Sequence, residues 1–252
     1  MQGVAAITNQ KGGVGKTTTA VNLSAYLAYL GKTVLLLDID PQGNTTSGVG
    51  LDKQKIKYCI YDALINEIPV EKIIYKSNYD NLDVIPATIQ LAGAEIELVP
   101  TLSREIRLRK VIEPVRDYYD YIIIDCPPSL GLITINALTA SDFVLVPIQC
   151  EYYALEGLGQ LINTINLVRK HLNSRLKIGG VILTMYDSRT NLSAQVAEEV
   201  RKYFGEFLMD AIIPRNVRLS EAPSHGEPIL KYDPHSRGAK FYKQLAEEVI
   251  NR

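Results

Sequence analysis

Short apolar segments alternate with longer segments of helical periodicity along the whole chain. The apolar segments are too short for helices and carry apolar side chains on both faces. They predict buried strands at Val4–Thr8, Thr33–Asp38, Asn81–Ala87, Tyr121–Asp125, Phe143–Pro147, Lys177–Met185 and Met209–Pro214. The periodic segments predict helices at Lys16–Leu30, Leu102–Arg116, Ile133–Ala140, Ala154–His171, Leu192–Phe204 and Ala239–Ile250.

This alternation predicts an α/β fold, with a doubly wound, mostly parallel sheet that carries helices on both faces. No repeat or linker interrupts the pattern, so we expect a single domain over residues 1–252. Gly31 is expected to end the first long helix in a left-handed conformation. Ligands of such sheets bind at the carboxyl ends of the strands, and functional residues are therefore expected at that edge.

Composition narrows the class of protein. The 252 residues are 46% hydrophobic and 22% charged with a net charge of −1, so any nucleic-acid binding must come from a local basic patch. There is no apolar run of about 20 residues and no amino-terminal signal pattern. Three cysteines without a C-x-x-C motif argue against disulfides or a zinc site. A cytoplasmic protein is expected.

A glycine-rich turn follows the first strand, in the stretch Gln10–Thr18 (QKGGVGKTT). It departs from the strict pattern G-x-x-x-x-G-K-[ST], because Gln10 stands at the first glycine position. The working parts remain: glycines let backbone N–H groups converge on an anion, Lys16 can reach the terminal phosphates, and Thr17 can offer its hydroxyl to Mg²⁺. The predicted nucleotide-binding residues are Lys11, Gly12, Gly13, Val14, Gly15, Lys16, Thr17 and Thr18.

A plain glycine-rich turn is the alternative, but a lysine at a helix amino terminus is unfavourable without an anion nearby.

Aspartates follow two of the predicted strands. Asp38 and Asp40 lie in the stretch LDIDPQGN, and Asp125 ends the stretch IIID. Beside a phosphate loop, a carboxylate at a strand end is expected to hold Mg²⁺ through its water shell, since Mg²⁺ keeps most of its waters. The alternative for each is a turn or helix-capping role.

The stretch KGGVGKTT resembles the deviant phosphate loop of the ParA/MinD superfamily of dimerising ATPases. The resemblance implies that Lys11 reaches across a dimer to the nucleotide of the partner subunit, and that Lys16 and Asp40 share catalysis with it, Asp40 by positioning the hydrolytic water. Asp125 resembles the aspartate that holds Mg²⁺ through water, together with Thr17. Two roles remain open for Asp38: it assists the water shell of the metal ion, or it only caps the turn.

Further stretches extend the resemblance over essentially the whole chain, to ParA-type partition proteins of the short Soj subgroup. They are 86–88 (PAT), 95–97 (EIE), 125–129 (DCPPS), 149–157 (QCEYYALEG) and 213–216 (IPRN). The resemblance implies that Pro214 and Asn216 hold the adenine and that Glu151 contacts the nucleotide of the partner subunit. A strand end followed by a turn remains the alternative for 213–216.

The resemblance also implies a function. A homodimer formed with ATP and Mg²⁺ would bind DNA nonspecifically on the nucleoid, and a ParB-type partner would stimulate slow ATP hydrolysis and release the DNA. Arg189 and Arg218 are the predicted DNA-binding residues, although Asp187, Glu221 and Asp233 lie close in sequence and ordinary surface ion pairs compete as an explanation. The basic run Arg104–Lys110 is assigned no role.

Three other classes of protein share parts of this pattern. A MinD-like membrane switch needs a basic amphipathic helix beyond the last predicted helix, and none is present in the sequence, so no membrane binding is expected. An iron–sulfur carrier needs cluster-binding cysteines, whereas Cys126 and Cys150 are expected to be small buried residues. A metabolic phosphate-loop enzyme needs an acceptor pocket that no motif suggests.

Overall fold

A seven-stranded sheet forms the centre of the computed structural model, which describes residues 1–152 and 157–252. The strands are β1 (Gly3–Ile7), β2 (Val34–Asp38), β3 (Tyr75–Lys76), β4 (Leu82–Ile85), β5 (Tyr121–Asp125), β6 (Phe143–Gln149) and β7 (Lys177–Thr184). Their order across the sheet is β3-β4-β2-β5-β1-β6-β7, and every pair is parallel except the antiparallel edge pair β3–β4.

Eleven α-helices lie in the described part of the chain. They are α1 (Lys16–Tyr29), α2 (Asn44–Gly48), α3 (Ile60–Ile65), α4 (Leu91–Glu97), α5 (Arg107–Ile112), α6 (Leu132–Ala140), α7 (Leu158–His171), α8 (Asn191–Phe204), α9 (Val217–Glu221), α10 (Ile229–Tyr232) and α11 (Arg237–Asn251).

Two separate hydrophobic cores cover the two faces of the sheet. Along β2, Leu35 and Leu37 pack into one core, while Val34 and Leu36 pack into the other. The first core is closed by helices that include α6 and α7, and the second by α1 and α11. This alternation explains why consecutive apolar residues run along β2 and β5 as far as the aspartate that ends each strand, and the doubly wound α/β fold predicted from the sequence is confirmed.

The chain changes direction across the sheet at β1, which pairs with β5 on one side and β6 on the other. The glycine-rich loop leaves the carboxyl end of β1, and Ile7 lies in register with Asp125 of β5. Crevices at such switch points are the usual ligand sites of open parallel sheets.

Most predicted elements are confirmed to within a few residues. Six of the seven predicted strands are present, and Gly31, with φ of 84°, adopts the expected left-handed conformation after α1. For the helix predicted at Ala154–His171, α7 begins at Leu158, and residues 154–156 lie outside the described residues.

Two predicted elements are wrong in detail. The helix predicted at Leu102–Arg116 is broken into a 3₁₀ turn at Arg104–Ile106, the short α5 and a second 3₁₀ segment at Glu113–Tyr118. Pro114 explains the second break because it has no backbone N–H and cannot continue an α-helix.

The strand predicted at Met209–Pro214 is an extended segment beside β7 that forms only isolated bridges. The N–H groups of Met209 and Ile213 each donate to β7 at 2.8 Å, to the carbonyls of Val181 and Leu183. The bonds are too widely spaced for a continuous ladder. The two-residue β3 and the short helices α2, α3, α4, α9 and α10 were not predicted, because so few residues carry no periodic pattern.

Candidate functional site

The glycine-rich loop between β1 and α1 has a backbone that only glycine adopts easily. Gly13 and Gly15 have φ of 75° and 88°, both in the left-handed region. A β-carbon at Gly12 or Gly13 would have no atom within 4 Å beyond its neighbours in sequence. The glycines are therefore not demanded by packing within the chain, and this side of the loop is open to a ligand.

Hydrogen bonds to two strands, β6 and β7, hold the loop in place. The amide of Asn9 donates to the Pro147 carbonyl of β6 at 2.7 Å and its oxygen accepts from the Lys11 N–H at 3.0 Å. On the other side, the Thr184 hydroxyl of β7 donates to the Val14 carbonyl at 2.8 Å. The loop is thus preformed by its surroundings.

Lys16, at the first position of α1, is folded back over this loop. Its side chain is buried and Nζ donates to the Lys11 carbonyl at 3.0 Å. Burial lowers the pKa of Lys16, and the nearby Asp125 partly opposes that change. A bound anion would favour the charged ammonium form of Lys16, which burial disfavours.

Asp125 lies at the bottom of the site, at the end of β5. Its Oδ2 accepts from the Thr17 hydroxyl at 2.8 Å and from the Thr45 hydroxyl at 2.7 Å. Its Oδ1 is buried and has no hydrogen-bond partner among the described residues. Burial raises the pKa of Asp125, and the adjacent Asp38 raises it further. An unsatisfied oxygen of this kind fits the outer shell of a hydrated cation.

Asp38 of β2 lies in register with Asp125 of β5. Both carboxylate oxygens of Asp38 accept hydrogen bonds from residues of the segment that follows β2. Oδ2 accepts from the Thr46 N–H and hydroxyl, each at 2.8 Å, and Oδ1 accepts from the Asp40 N–H at 3.1 Å. Of its two candidate roles, the geometry favours the turn. Burial is the main reason that the pKa of Asp38 is raised.

Asp40 lies on the same turn and is partly exposed. Its Oδ1 accepts from the Gln42 N–H and its carbonyl accepts from the Gly43 N–H, both at 2.9 Å. Asp38 thus anchors the turn inside, while Asp40 lies at its outer side. The role of Asp40 in positioning water stays a prediction.

A cleft of about 430 Å³ continues from the loop along α1. It is lined by Gly15 and Thr18 on one side and by Pro214 and Asn216 on the other. The Asn216 oxygen accepts from the Arg218 N–H at 2.8 Å and caps α9, so the turn foreseen as the alternative is present as well. The volume of the cleft is in the range of small-molecule binding sites.

Glu151 lies beyond this cleft at the end of β6. Its Oε1 accepts from Arg215 Nη2 at 3.2 Å and from the Gln149 amide. Its side chain is half-exposed. A contact with the nucleotide of a partner subunit stays a prediction.

The two arginines predicted to bind DNA both form ion pairs. Arg189 is paired with Asp187 at 2.7 Å, and Arg218 is paired with Glu221 at 2.9 Å and Asp233 at 3.5 Å. Both guanidinium groups are exposed. The surface ion pairs weighed as the competing account are therefore present, and a DNA-binding role stays a prediction.

Sequence reasoning missed several residues of the site. Thr45 shares Asp125 with Thr17, Met185 lines the cleft with a φ of 52°, and Arg215 contacts Glu151. A threonine soon after the aspartate pair was the only signal for Thr45. Arg215 lies in the stretch 213–216 already noted, but no local pattern predicts its contact with Glu151 or the position of Met185, because both depend on segments distant in the sequence.

The loop, the buried lysine, the shared aspartate and the adjoining cleft define a phosphate-loop protein with a site for a nucleotide and a divalent cation. Comparison with known proteins specifies the family. The AAA domain family matches residues 2–178. The chain is 68% identical to the sporulation initiation inhibitor protein Soj of Bacillus subtilis, covering 98% of this chain and 97% of that protein.

It is 55% identical to the chromosome partitioning protein ParA of Myxococcus xanthus, over 98% of this chain and 87% of that protein. A solved structure of cobyrinic acid a,c-diamide synthase from Mycobacterium smegmatis, with ADP and magnesium, is 36% identical and has a TM-score of 0.87 over 100% of this chain and 95% of that one. The chain belongs to the ParA/MinD superfamily of phosphate-loop ATPases, in its Soj/ParA group.

The other classes can be compared with the structure. Cys59, Cys126 and Cys150 are buried free thiols, as expected for Cys126 and Cys150 from the sequence. Within residues 1–152 and 157–252, no helix is long and apolar enough to cross a membrane.

Proposed function

We propose that the protein is a chromosome or plasmid partition ATPase that binds ATP with Mg²⁺, dimerises and binds DNA without sequence preference. The observation that carries this proposal is a complete phosphate-loop site in a chain 55% identical to a chromosome partitioning protein over nearly its whole length. ADP and magnesium in the structure of a relative 36% identical support the choice of ligands.

Each residue of the site has a proposed task. The loop N–H groups and Lys16 bind the phosphates, and Thr17 and Asp125 hold Mg²⁺, Asp125 through water. The bound cation would neutralise charge on the phosphate oxygens. Asp40 orients the attacking water from the outer side of the turn. The preformed loop means that binding costs little reorganisation.

The remaining residues serve nucleotide selection and dimerisation. Pro214 and Asn216 hold the adenine in the cleft beside Thr18. Lys11 and Glu151 contact the nucleotide of the partner subunit, so that ATP joins two subunits face to face. Their partial exposure in the structure supports this, because groups that bind across an interface must be reachable.

The dimer binds DNA through Arg189 and Arg218, in a cytoplasmic protein associated with the nucleoid. A ParB-type centromere-binding protein stimulates an otherwise slow hydrolysis and releases the DNA. We also propose that residues 1–252 act as a single ATPase domain.

Binding to a nonspecific DNA duplex tests the proposal, measured with ATP, with ADP and without nucleotide at two salt concentrations. We expect binding that requires ATP and weakens with salt, because phosphate contacts release counterions. Absence of binding in every condition would contradict the proposal. Liposomes would then test the membrane switch, and small-molecule acceptors the metabolic class named for the Mycobacterium smegmatis relative.

A further inference from the structure

A groove lined by arginines lies on the surface beside the nucleotide cleft. It has a volume of about 660 Å³ and contains Arg189, Arg215 and Arg237 together with Asp187 and Asp210. We call it the arginine groove. Three arginines against two aspartates leave a net charge of only +1 for its lining. A groove so nearly neutral attracts a polyanion weakly.

Asp187 occupies the edge of the Arg189 guanidinium group that would bind a phosphate. Its two oxygens accept from Arg189 Nε at 2.9 Å and from Nη2 at 2.7 Å, and its Oδ1 also accepts from the Arg189 N–H at 3.0 Å. A guanidinium group binds carboxylate and phosphate through the same two-pronged geometry. A DNA phosphate must therefore displace Asp187 or accept a poorer contact.

Arg215 connects this pair to Glu151. Its N–H donates to the Tyr186 carbonyl at 3.0 Å, which places Arg215 directly beside Asp187. Its side chain is bonded to Glu151, at 3.2 Å. The positive charge of Arg215 also lowers the pKa of Asp187, after the larger effect of the Arg189 hydrogen bonds.

Four side chains thus form a row of alternating charge: Glu151, Arg215, Asp187 and Arg189. The row allows two pairings. In the structure the outer pairs are formed, Glu151 with Arg215 and Asp187 with Arg189. In the other pairing Arg215 binds Asp187, so that Glu151 is released from Arg215 and Arg189 is released from Asp187.

We propose that Asp187 is a built-in competitor for DNA phosphate in the arginine groove, and that Arg215 removes it when Glu151 engages the nucleotide of the partner subunit. This inference rests on the proposed function and specifies how ATP regulates DNA binding at that site. Dimerisation takes Glu151 from Arg215, Arg215 pairs with Asp187, and Arg189 is released to DNA. The row makes DNA affinity depend on nucleotide without any movement of the fold.

The first test is Asp187→Asn, which keeps the acceptor oxygen for the Arg189 N–H but removes the charge. DNA affinity is measured by fluorescence anisotropy with ATP and without nucleotide. We expect a rise of about two- to five-fold without nucleotide, the range of an exposed ion pair, and little change with ATP. In the absence of nucleotide, the slope of log affinity against log salt should steepen by about 0.9.

Glu71→Gln is the matched control, because it also removes one negative charge. Glu71 is exposed and lies beside Thr33 and Asn81, at the amino-terminal edge of the sheet, opposite the nucleotide site. It should leave the ratio of affinities with and without ATP as it is in the parent protein. An equal rise in both nucleotide states for Asp187→Asn would mean general electrostatics and would overturn the inference.

The second test separates Arg215 as a relay from Arg215 as a direct DNA contact. Arg215→Gln should weaken ATP-dependent DNA binding in the parent protein, but should have no further effect in the Asp187→Asn background. An undiminished effect in that background would overturn the relay. ATP-dependent dimerisation, measured by light scattering, is expected to persist in both variants, and its loss in Arg215→Gln would place Arg215 in the dimer contact itself and overturn the relay.

The parent protein distinguishes this inference from the proposed function. If the parent does not bind DNA with ATP, the proposed function fails. If the parent binds DNA only with ATP and Asp187→Asn shows the parental ratio, only the inference about Asp187 fails.

Discussion

At the scale of single residues, the site depends on a few polar groups held where water is excluded. Lys16 and Asp125 are buried at the same edge of the sheet, and each is stabilised by what a nucleotide with Mg²⁺ would bring. Asp38 and Asp40 are two positions apart on one turn but face different surroundings, one buried and one partly exposed. The buried Asp38 anchors the turn, and the partial exposure of Asp40 is consistent with the water-orienting role proposed for it.

Lys16→Ala is expected to abolish nucleotide binding. The substitution removes the only lysine side chain that is buried among the described residues, together with its bond to the Lys11 carbonyl. Titration with a fluorescent ATP analogue measures the change, with the exposed Lys72→Ala as a surface control. Tight ATP binding by Lys16→Ala would remove Lys16 from the phosphate site.

Asp40→Ala is expected to keep ATP binding but to slow hydrolysis by about 100-fold or more, the usual contribution of a group that handles a proton or water. The result should be a trapped ATP-bound dimer, seen by gel filtration with ATP. Phosphate release at the parental rate would show that Asp40 does not orient the water.

At the scale of elements, a contact between helices secures the segment that follows Asp125. The Glu95 carboxylate of α4 accepts from the N–H groups of Leu132 at 3.0 Å and Ile133 at 3.4 Å, at the start of α6. A β-carbon at Gly131 would lie only 2.5 Å from Glu95 Oε1, so glycine is needed for this approach. A carboxylate satisfies the free donors of a helix amino terminus and suits its dipole.

Glu95→Ala is expected to lower the free energy of unfolding by about 1 kcal/mol and the melting temperature by about 2–4 °C. Calorimetry or circular dichroism measures the change. Glu97→Ala, on the same helix, loses only exposed bonds from the Tyr61 hydroxyl and serves as the control. Equal melting temperatures for the two variants would contradict the role given to Glu95.

The helices and strands differ in how well the sequence predicts them. The strands β2 and β5 are buried throughout, β1 is buried except at Gly3, and apolar residues continue along β2 and β5 up to their final aspartates, because helices cover both faces of the sheet. Short helices such as α2 and α9 are stabilised by their tertiary contacts, and no apolar periodicity in the sequence predicts them. The broken helix around α5 shows the limit of periodicity, since the apolar spacing continued through Pro114 while the backbone could not.

At the scale of the whole molecule, the parallel sheet gathers the site at one edge. Asp125 from β5, Thr17 from α1 and Thr45 from the segment after β2 come within hydrogen-bond distance although they are far apart in sequence. A ligand that joins these segments should stabilise the entire fold, because it binds the native state only.

Mg²⁺ with ATP is expected to stabilise the protein by about 2.7 kcal/mol at a ligand concentration one hundred times Kd. Differential scanning fluorimetry with ATP, with and without Mg²⁺, measures the shift in melting temperature. In Asp125→Asn, which lacks the charge but keeps the shape, the additional shift due to Mg²⁺ should be lost. If Mg²⁺ still adds its full shift in this variant, Asp125 does not hold the cation.

The local sequence pattern alone predicted the fold class, the phosphate loop and the aspartates at strand ends. Strand burial and helix periodicity depend on residues that are neighbours in the sequence. Tertiary structure alone decided which polar groups share a partner. It joined Thr45 to Asp125, 80 residues away in sequence, and placed Arg215 beside Tyr186 and Asp187. Such contacts join distant segments, and their geometry depends on how the whole sheet packs rather than on any local sequence.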